Sequence, residues 1–409
     1  MFSSQKCDEN GSRLGPRPLL QDRLGAHTGT RGRPLSARTS SVSRLAMAET
    51  LPDFPPALIA ATPSPTADPT TVRYLGSKTR VVDDIVEIIG PPRASDGRLI
   101  DGFAGTGIVA SRAADAGWSV HVNDHLLSAV CIASARLVAA EEASFAALGG
   151  YEAAIEQLNA LPGTAGFFWS EYSPGSVAQR LYFTKENARK IDAMRDLIQI
   201  WVAAGKVSQI ERRLLIADLI SACARVANTA GTYGCFLTYW TRSALEPIRL
   251  EPRSLRTISV PWGFSCDDVA KVPVKEHDVV YLDPPYTKRQ YAAYYHVNET
   301  LAHGDHPDVG GKTGLRPWQD RASDYCYKRR ALNALTTLIA AMPARQVFLS
   351  YSSEGHVALD ALRAGLEEFA EVKLHELARV GRYRPNPVAS AAADDVTEVL
   401  LDVSKPLQD

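Results

Sequence analysis

Asp283-Pro284-Pro285-Tyr286 follows directly on the apolar run Val279-Val280-Tyr281-Leu282 and sets a carboxylate, two prolines and a phenol ring side by side. Neither proline has an N–H, so no strand can continue through them, and nearby carbonyl oxygens are left without a local donor. Asp283 therefore belongs at the carboxyl end of a buried strand, the edge at which open α/β sheets bind ligands. Two acceptors beside a flat aromatic face match an exocyclic amine on a planar base: two N–H donors to hold and a ring to stack. A strand-ending Pro-Pro turn with a surface aspartate explains the same four residues, so the rest of the chain must choose.

A second cluster lies upstream. Asp101-Gly102-Phe103-Ala104-Gly105-Thr106-Gly107 reads as a strand tip, a glycine turn and a helix start. Glycines let backbone approach a ligand closely, and a helix start presents free N–H groups. The spacing is not that of the dinucleotide-binding fingerprint. Asp124 follows Asp101 by 23 residues and ends a second strand, 118–124. An acid at that tip is placed to hold ribose hydroxyls, as an alternative to capping the next helix. Together the turn and the acid point to a nucleoside-type cofactor.

The elements that must carry these residues follow from periodicity. A helical pattern through Val81, Val82, Ile85, Ile88 and Ile89 stops at Gly90-Pro91-Pro92. Further helices are expected over 108–116 and 126–142. Asp283 follows Asp101 by 182 residues, whereas reaching a fourth parallel strand needs only ~80. An insertion of roughly 100 residues is expected within 150–262, with helical patterns at 185–205 and 208–226. Residues 171–260 hold 13 Lys or Arg against 8 Asp or Glu, interleaved with Tyr182, Phe183, Tyr233, Phe236, Tyr239 and Trp240. A basic, aromatic surface suits nucleic acid, although an ordinary helical domain has the same composition. Downstream, 302–327 reads as a long loop beside the strand tip, 328–341 and 356–369 as helices, and 346–353 as a strand. Strands 371–379 and 396–403, joined by an Arg-rich loop at 379–387, form a hairpin.

The 409 residues are 45% hydrophobic and 22% charged, with a formal net charge of −1. That is ordinary globular composition, and it excludes a chain-wide basic field for nucleic acid. No apolar run is long enough to span a membrane. Six scattered cysteines without a Cys-x-x-Cys pair argue against a zinc site or a disulfide framework and for a reducing, cytoplasmic compartment. Residues 1–70 read as a tail and linker: seven arginines and few bulky apolar residues precede position 47, and six prolines fall within 51–70. Arg31-Gly32-Arg33-Pro34 resembles a minor-groove hook, a solvated tail being the simpler account. Met47 is an alternative start, and residues 1–46 are expected to be dispensable for catalysis.

Four separated pieces now fall in order: Tyr74-Leu75-Gly76-Ser77-Lys78, the Asp101–Gly107 turn, Asn123-Asp124 and Asp283-Pro284-Pro285-Tyr286. The chain resembles the S-adenosyl-methionine-dependent DNA adenine-N6 methyltransferases of the D12 class, whose cofactor motifs precede the target-recognition region. Gly102 departs from the pattern, which usually has proline there. Gly231-Thr232-Tyr233-Gly234 and Ser350-Tyr351-Ser352-Ser353-Glu354-Gly355 resemble stretches of restriction-associated members.

The resemblance implies a doubly wound, Rossmann-like α/β sheet with a reversed last strand, plus an inserted, mainly helical target-recognition domain. Residues 71–149 and 263–409 would be its cofactor-binding and catalytic halves, and 150–262 the insertion. Tyr74 and Lys78 would close over the cofactor's methionine part. Asp124 would hold ribose, while Asp101, Phe103, Gly105 and Gly107 would shape the pocket. Asp283, with Pro284, Pro285 and Tyr286, would grip a flipped-out adenine and face the sulfonium, with no metal involved. Double-stranded DNA is the implied partner, with a cognate restriction endonuclease as a second, in a restriction-modification or phage setting. An RNA adenine methyltransferase is the nearest alternative. A protein glutamine methyltransferase is more distant, because its loop normally starts with Asn.

Overall fold

The computed structural model describes residues 76–92, 97–380 and 396–406. The N-terminal tail, its Arg-Gly-Arg-Pro stretch, the proline-rich linker, Tyr74 and most of the Arg-rich loop lie outside the described residues. In chain order the elements begin with α1 (Val82–Ile89), β1 (Arg98–Asp101), α2 (Ile108–Asp115), β2 (Ser119–Asn123) and α3 (Leu127–Ala135). The segment after α3 contributes α4 (Tyr151–Ala160), α5 (Phe167–Glu171), α6 (Lys185–Ala203), α7 (Gln209–Val226) and α8 (Arg242–Leu245). The chain then returns to the sheet with β3 (Trp262–Ser265) and β4 (Val279–Leu282). After α9 (Tyr291–Tyr294), α10 (His296–His303) and α11 (Ala331–Ala341) come β5 (Gln346–Ser352), α12 (Leu359–Glu367), β6 (Glu371–Val380) and β7 (Val396–Ser404).

The strands form one sheet in the order β3-β2-β1-β4-β5-β7-β6. Neighbours from β3 to β5 are parallel, and β7 runs antiparallel to both β5 and β6. The expected α/β sheet with its reversed last strand is therefore present. Alternation along the strands supplies both faces. Leu99, Val120, Val122, Tyr281, Phe348 and Leu400 pack with α1 and α2, whereas Ile100, Val280, Leu282, Val347, Leu349 and Leu401 pack with α11 and α12. Burial on both sides explains why β4 is apolar throughout and alternates nothing.

Three differences from the sequence reading have physical causes. The helix expected over 126–142 ends at Ala135, and the chain then makes a bridge between Ala139 and Arg256. In α3 every residue from Ser128 to Ala135 is buried, because α3 packs into one core with α7 and α10 and has no solvent face. Strand β3 was not anticipated: four residues with a glycine carry too little pattern, and it exists through pairing with β2.

Part of the expected basic, aromatic surface is interior. Tyr182, Phe183 and Tyr233 are buried core residues. Arg195 is buried over the rings of Phe167 and Phe168, and Arg253 pairs with buried Asp218 at 2.7 Å. Tyr239, by contrast, is exposed. Among the described residues no helix is long and apolar enough to cross a membrane.

Candidate active site

A cavity of about 880 Å³ opens at the carboxyl edge of β1, β2 and β4, lined among others by Lys78, Asp101, Phe103, Gly105, Asp124 and Asp283. The glycine turn builds its floor. Gly102 donates its N–H to the Tyr281 carbonyl at 2.9 Å, a bond that proline could not make. A Cβ at Gly102 would also fall 2.8 Å from Leu282 Cδ2 and 2.9 Å from Val269 Cγ2. The departure from the proline pattern thus extends the β1–β4 ladder by one bond. Gly105 and Gly107 have φ of 50° and 71°, the left-handed region that favours glycine. A Cβ at Gly107 would lie 2.5 Å from Ala133 Cα, so glycine is what lets α2 and α3 approach.

Asp124 ties this turn to the second strand. Its carboxylate accepts from the Gly105 N–H at 3.0 Å and the Leu126 N–H at 2.9 Å. Neighbouring Asn123 is buried, donates to the carbonyls of Gly102 and Asp267, and accepts from the Ser265 hydroxyl at 2.7 Å. The tips of β1, β2 and β3 are locked together through that one amide.

The second wall is the tetrapeptide. Asp283 lies beyond the end of β4, its side chain 16% exposed, and its Oδ1 is 2.9 Å from Lys78 Nζ. Lys78 comes from the loop before α1 and lies 5.5 Å from the centroid of the Tyr286 ring. Tyr286 is held by its carbonyl, which accepts from the His356 N–H at 2.8 Å, and by an edge contact with Tyr351 at 5.7 Å. The Tyr351 ring lies where a side chain on Gly355 would start, at 2.4 Å. The stretch from Ser350 to Gly355 therefore shores up the ring of Tyr286. Pro285 lines the cavity and Pro284 is buried.

Burial and like charge shape the ionisation of the three aspartates. Desolvation, reinforced by Asp283, raises Asp101 to about 8. One of its carboxyl oxygens, Oδ1, is buried with no hydrogen-bond partner. Desolvation likewise raises Asp124 to about 6, against the pull of its backbone donors. Asp283 is raised to about 6 by burial, with Lys78 opposing. Burial works against the charged form of Lys78, but Asp283, Tyr286 and Glu398 outweigh it and hold the ammonium above the ordinary lysine range. Asp101, Asp124 and Asp283 line the strand-tip end of this cavity with acceptors and suit a ligand that brings its own donors.

The family model of the D12 class N6 adenine-specific DNA methyltransferases matches residues 74–364. The chain belongs to this family. It is 33% identical over 291 residues to the type II methyltransferase M.FokI of Planomicrobium okeanokoites, covering 69% of this chain and 45% of that protein. With the modification methylase StsI of Streptococcus sanguinis it shares 31% over 308 residues, 73% of this chain and 46% of the relative. The chain thus spans about half the length of these relatives. Against the type II methyltransferase M.NlaIII of Neisseria lactamica it is 31% identical over 312 residues, 74% of this chain and 90% of the relative.

Of the residues expected from the D12 methyltransferase pattern, the fold brings Lys78, Asp101, Phe103, Gly105, Asp124, Asp283 and Pro285 to one cavity. Gly107 and Tyr286 support its walls, and Tyr74 lies outside the described residues. Sequence reasoning missed Glu398 on β7, whose Oε2 is 3.5 Å from Lys78 Nζ and whose Oε1 accepts from the Tyr286 hydroxyl at 3.4 Å. It also missed Tyr325, which meets Phe103 edge-on at 5.4 Å. Gln290 fastens that loop through two bonds with the Ser323 backbone, at 2.9 and 3.1 Å. Buried Glu299 accepts from the Ser128 N–H at 2.7 Å and so anchors the start of α3 just beyond Asp124. None of these partners has a local sequence signal, because each acts across a large separation in the chain.

Proposed function

We propose that this chain transfers a methyl group from S-adenosyl-methionine to the N6 amine of an adenine flipped out of double-stranded DNA. The observation that carries the reading is Asp283 at a strand tip, ion-paired to Lys78, on the wall of the cavity that the glycine turn and Asp124 floor. The residues fit the cofactor. A buried Asp101 oxygen without a partner and a surplus of carboxylates suit a ligand bearing an ammonium, a sulfonium and ribose hydroxyls. Asp101 and Lys78 would hold the methionine part, Asp124 the ribose, and Phe103 with Tyr325 the flat end. Bound there, S-adenosyl-methionine supplies an electrophilic methyl on a good leaving group.

The chain's own residues do the rest by positioning and electrostatics. The N6 lone pair is delocalised into the ring. Acceptance of its two protons by Asp283 and the Pro284 carbonyl draws the amine toward a pyramidal shape with the lone pair free. Tyr286, steadied by Tyr351 and Glu398, offers a face that returns part of the unstacking energy, a few kcal/mol. Asp283 must be ionised to temper the positive charge growing on nitrogen while it accepts its one proton.

Residues 150–262 are proposed as the target-recognition segment, since they separate the two halves of the site and retain exposed Tyr239 among their basic residues. Relatives named type II methyltransferase and modification methylase support a modification role; a cognate endonuclease as partner and a cytoplasmic setting are further parts of the proposal. Incubation with labelled S-adenosyl-methionine and DNA, RNA or protein tests the reading. Label should enter unmethylated DNA, as N6-methyladenine; incorporation into RNA or protein alone would overturn it.

A further inference from the structure

Among the described strands, β7 alone points opposite to the rest of the sheet. The reversal brings its beginning, not its end, to the catalytic edge. Ser352 at the end of β5 pairs with Glu398, and Glu398 reaches the Lys78–Asp283 pair from the side opposite the glycine turn. Its side chain is 12% exposed, and Oε2, 3.5 Å from the Lys78 ammonium, makes no hydrogen bond. One buried cation thus lies between two carboxylates, close on Asp283 and distant from Glu398. Resting on the reading above, Asp283 loosens its hold on Lys78 as it turns to accept the adenine amine. An ammonium left without a counter-ion in that wall would be strongly penalised.

We propose that Glu398 is the positioning residue that takes over the Lys78 ammonium when Asp283 turns to the amine. From 3.5 Å, a shift of about 0.7 Å brings the ammonium to charge-assisted hydrogen-bond distance of Oε2. It forms and breaks no covalent bond and moves no proton. Lys78 stays charged throughout, and the site keeps one negative charge for the sulfonium.

The test uses the full chain, in excess over sites on unmethylated plasmid DNA, with saturating labelled S-adenosyl-methionine. The variants are Glu398→Gln, Lys78→Gln, their double, Tyr286→Phe, its double with Glu398→Gln, and Asp283→Ala. Glu398→Gln should slow single-turnover methylation by ~10- to 100-fold, the loss of one charge-assisted contact, with cofactor Kd and Tm nearly unchanged. The double variant should be no slower than Lys78→Gln alone, because no ammonium remains to be received. Parental rate in Glu398→Gln, or losses that multiply in the double, would overturn the proposal. So would a cycle in which Tyr286→Phe, rather than Lys78→Gln, absorbs the loss, since Glu398 would then act by steadying the ring. If Glu398→Gln proves unstable, recovery of folding and rate in the double with Lys78→Gln would still support it, and absence of recovery would sink it. Asp283→Ala separates the two ideas. A dead Asp283→Ala with a normal Glu398→Gln removes only the exchange, whereas an active Asp283→Ala removes the amine reading itself.

Discussion

Replacing Asp283 separates structure from chemistry because the two predict opposite things. An acid whose pKa is higher folded than unfolded is destabilising when ionised, so the cost is present above the folded pKa and absent below the unfolded one. For Asp283 the rise from 3.8 to about 6 amounts to about 3 kcal/mol at neutral pH. Asp283→Ala removes that cost but leaves Lys78 with Glu398 alone at 3.5 Å, so the two effects offset and Tm should move by only a few degrees. Chemistry should suffer far more. Losing one preorganised polar group at a reacting centre typically costs ~10²–10³ in rate, and lost orientation of the amine adds to it. Asp283→Asn can still accept one N6 proton but offers no negative charge to the developing cation. It should fall between Ala and the parent, far nearer Ala. The assay is single-turnover methylation at saturating cofactor, with folding checked by thermal melt. A folded Asp283→Ala protein working at near-parental rate would refute the mechanism.

Three further outcomes follow from the same geometry. Turnover should fall as pH drops through about 6, where Asp283 takes up a proton and becomes a donor; a pH–rate profile flat down to pH 5 would contradict this. Gly107→Ala, with φ 71° and Ala133 Cα 2.5 Å from the new Cβ, should push α2 off α3, lower Tm and weaken cofactor binding by tenfold or more; calorimetric titration beside a melt checks both. Exchanging residues 150–262 with those of a relative of different specificity should change which adenines are methylated, read by sequencing modified bases in DNA from an expressing host. An unchanged site would move recognition elsewhere.

Much of the site was legible because its cues are local. Prolines 284 and 285 end a strand wherever it lies, since they lack the N–H that a ladder needs. The glycines of the first turn and Asp124, 23 residues after Asp101, mark two adjacent strand tips through one βαβ unit. The strands β1, β2, β4 and β5 and the helical patterns of α6 and α7 appear where they were expected.

Other features are properties of pairs far apart in the chain. Strand β3 has four residues and acquires its identity only from β2. Tyr182, Phe183 and Tyr233 have the composition of a nucleic-acid surface but are interior, because α3, α7 and α10 share one core with their segment. No pattern along the chain distinguishes a ring facing solvent from one facing a helix 100 residues away. Lys78 and Glu398 stand 205 and 115 residues from Asp283, and nothing in their own neighbourhoods links them to it. The reversal of β7 does so, turning the start of the last strand toward the edge where every parallel strand ends. A charge is recognisable from its residue type, but its counter-charge is chosen by which backbone edges find hydrogen bonds, and that is decided only when the sheet closes.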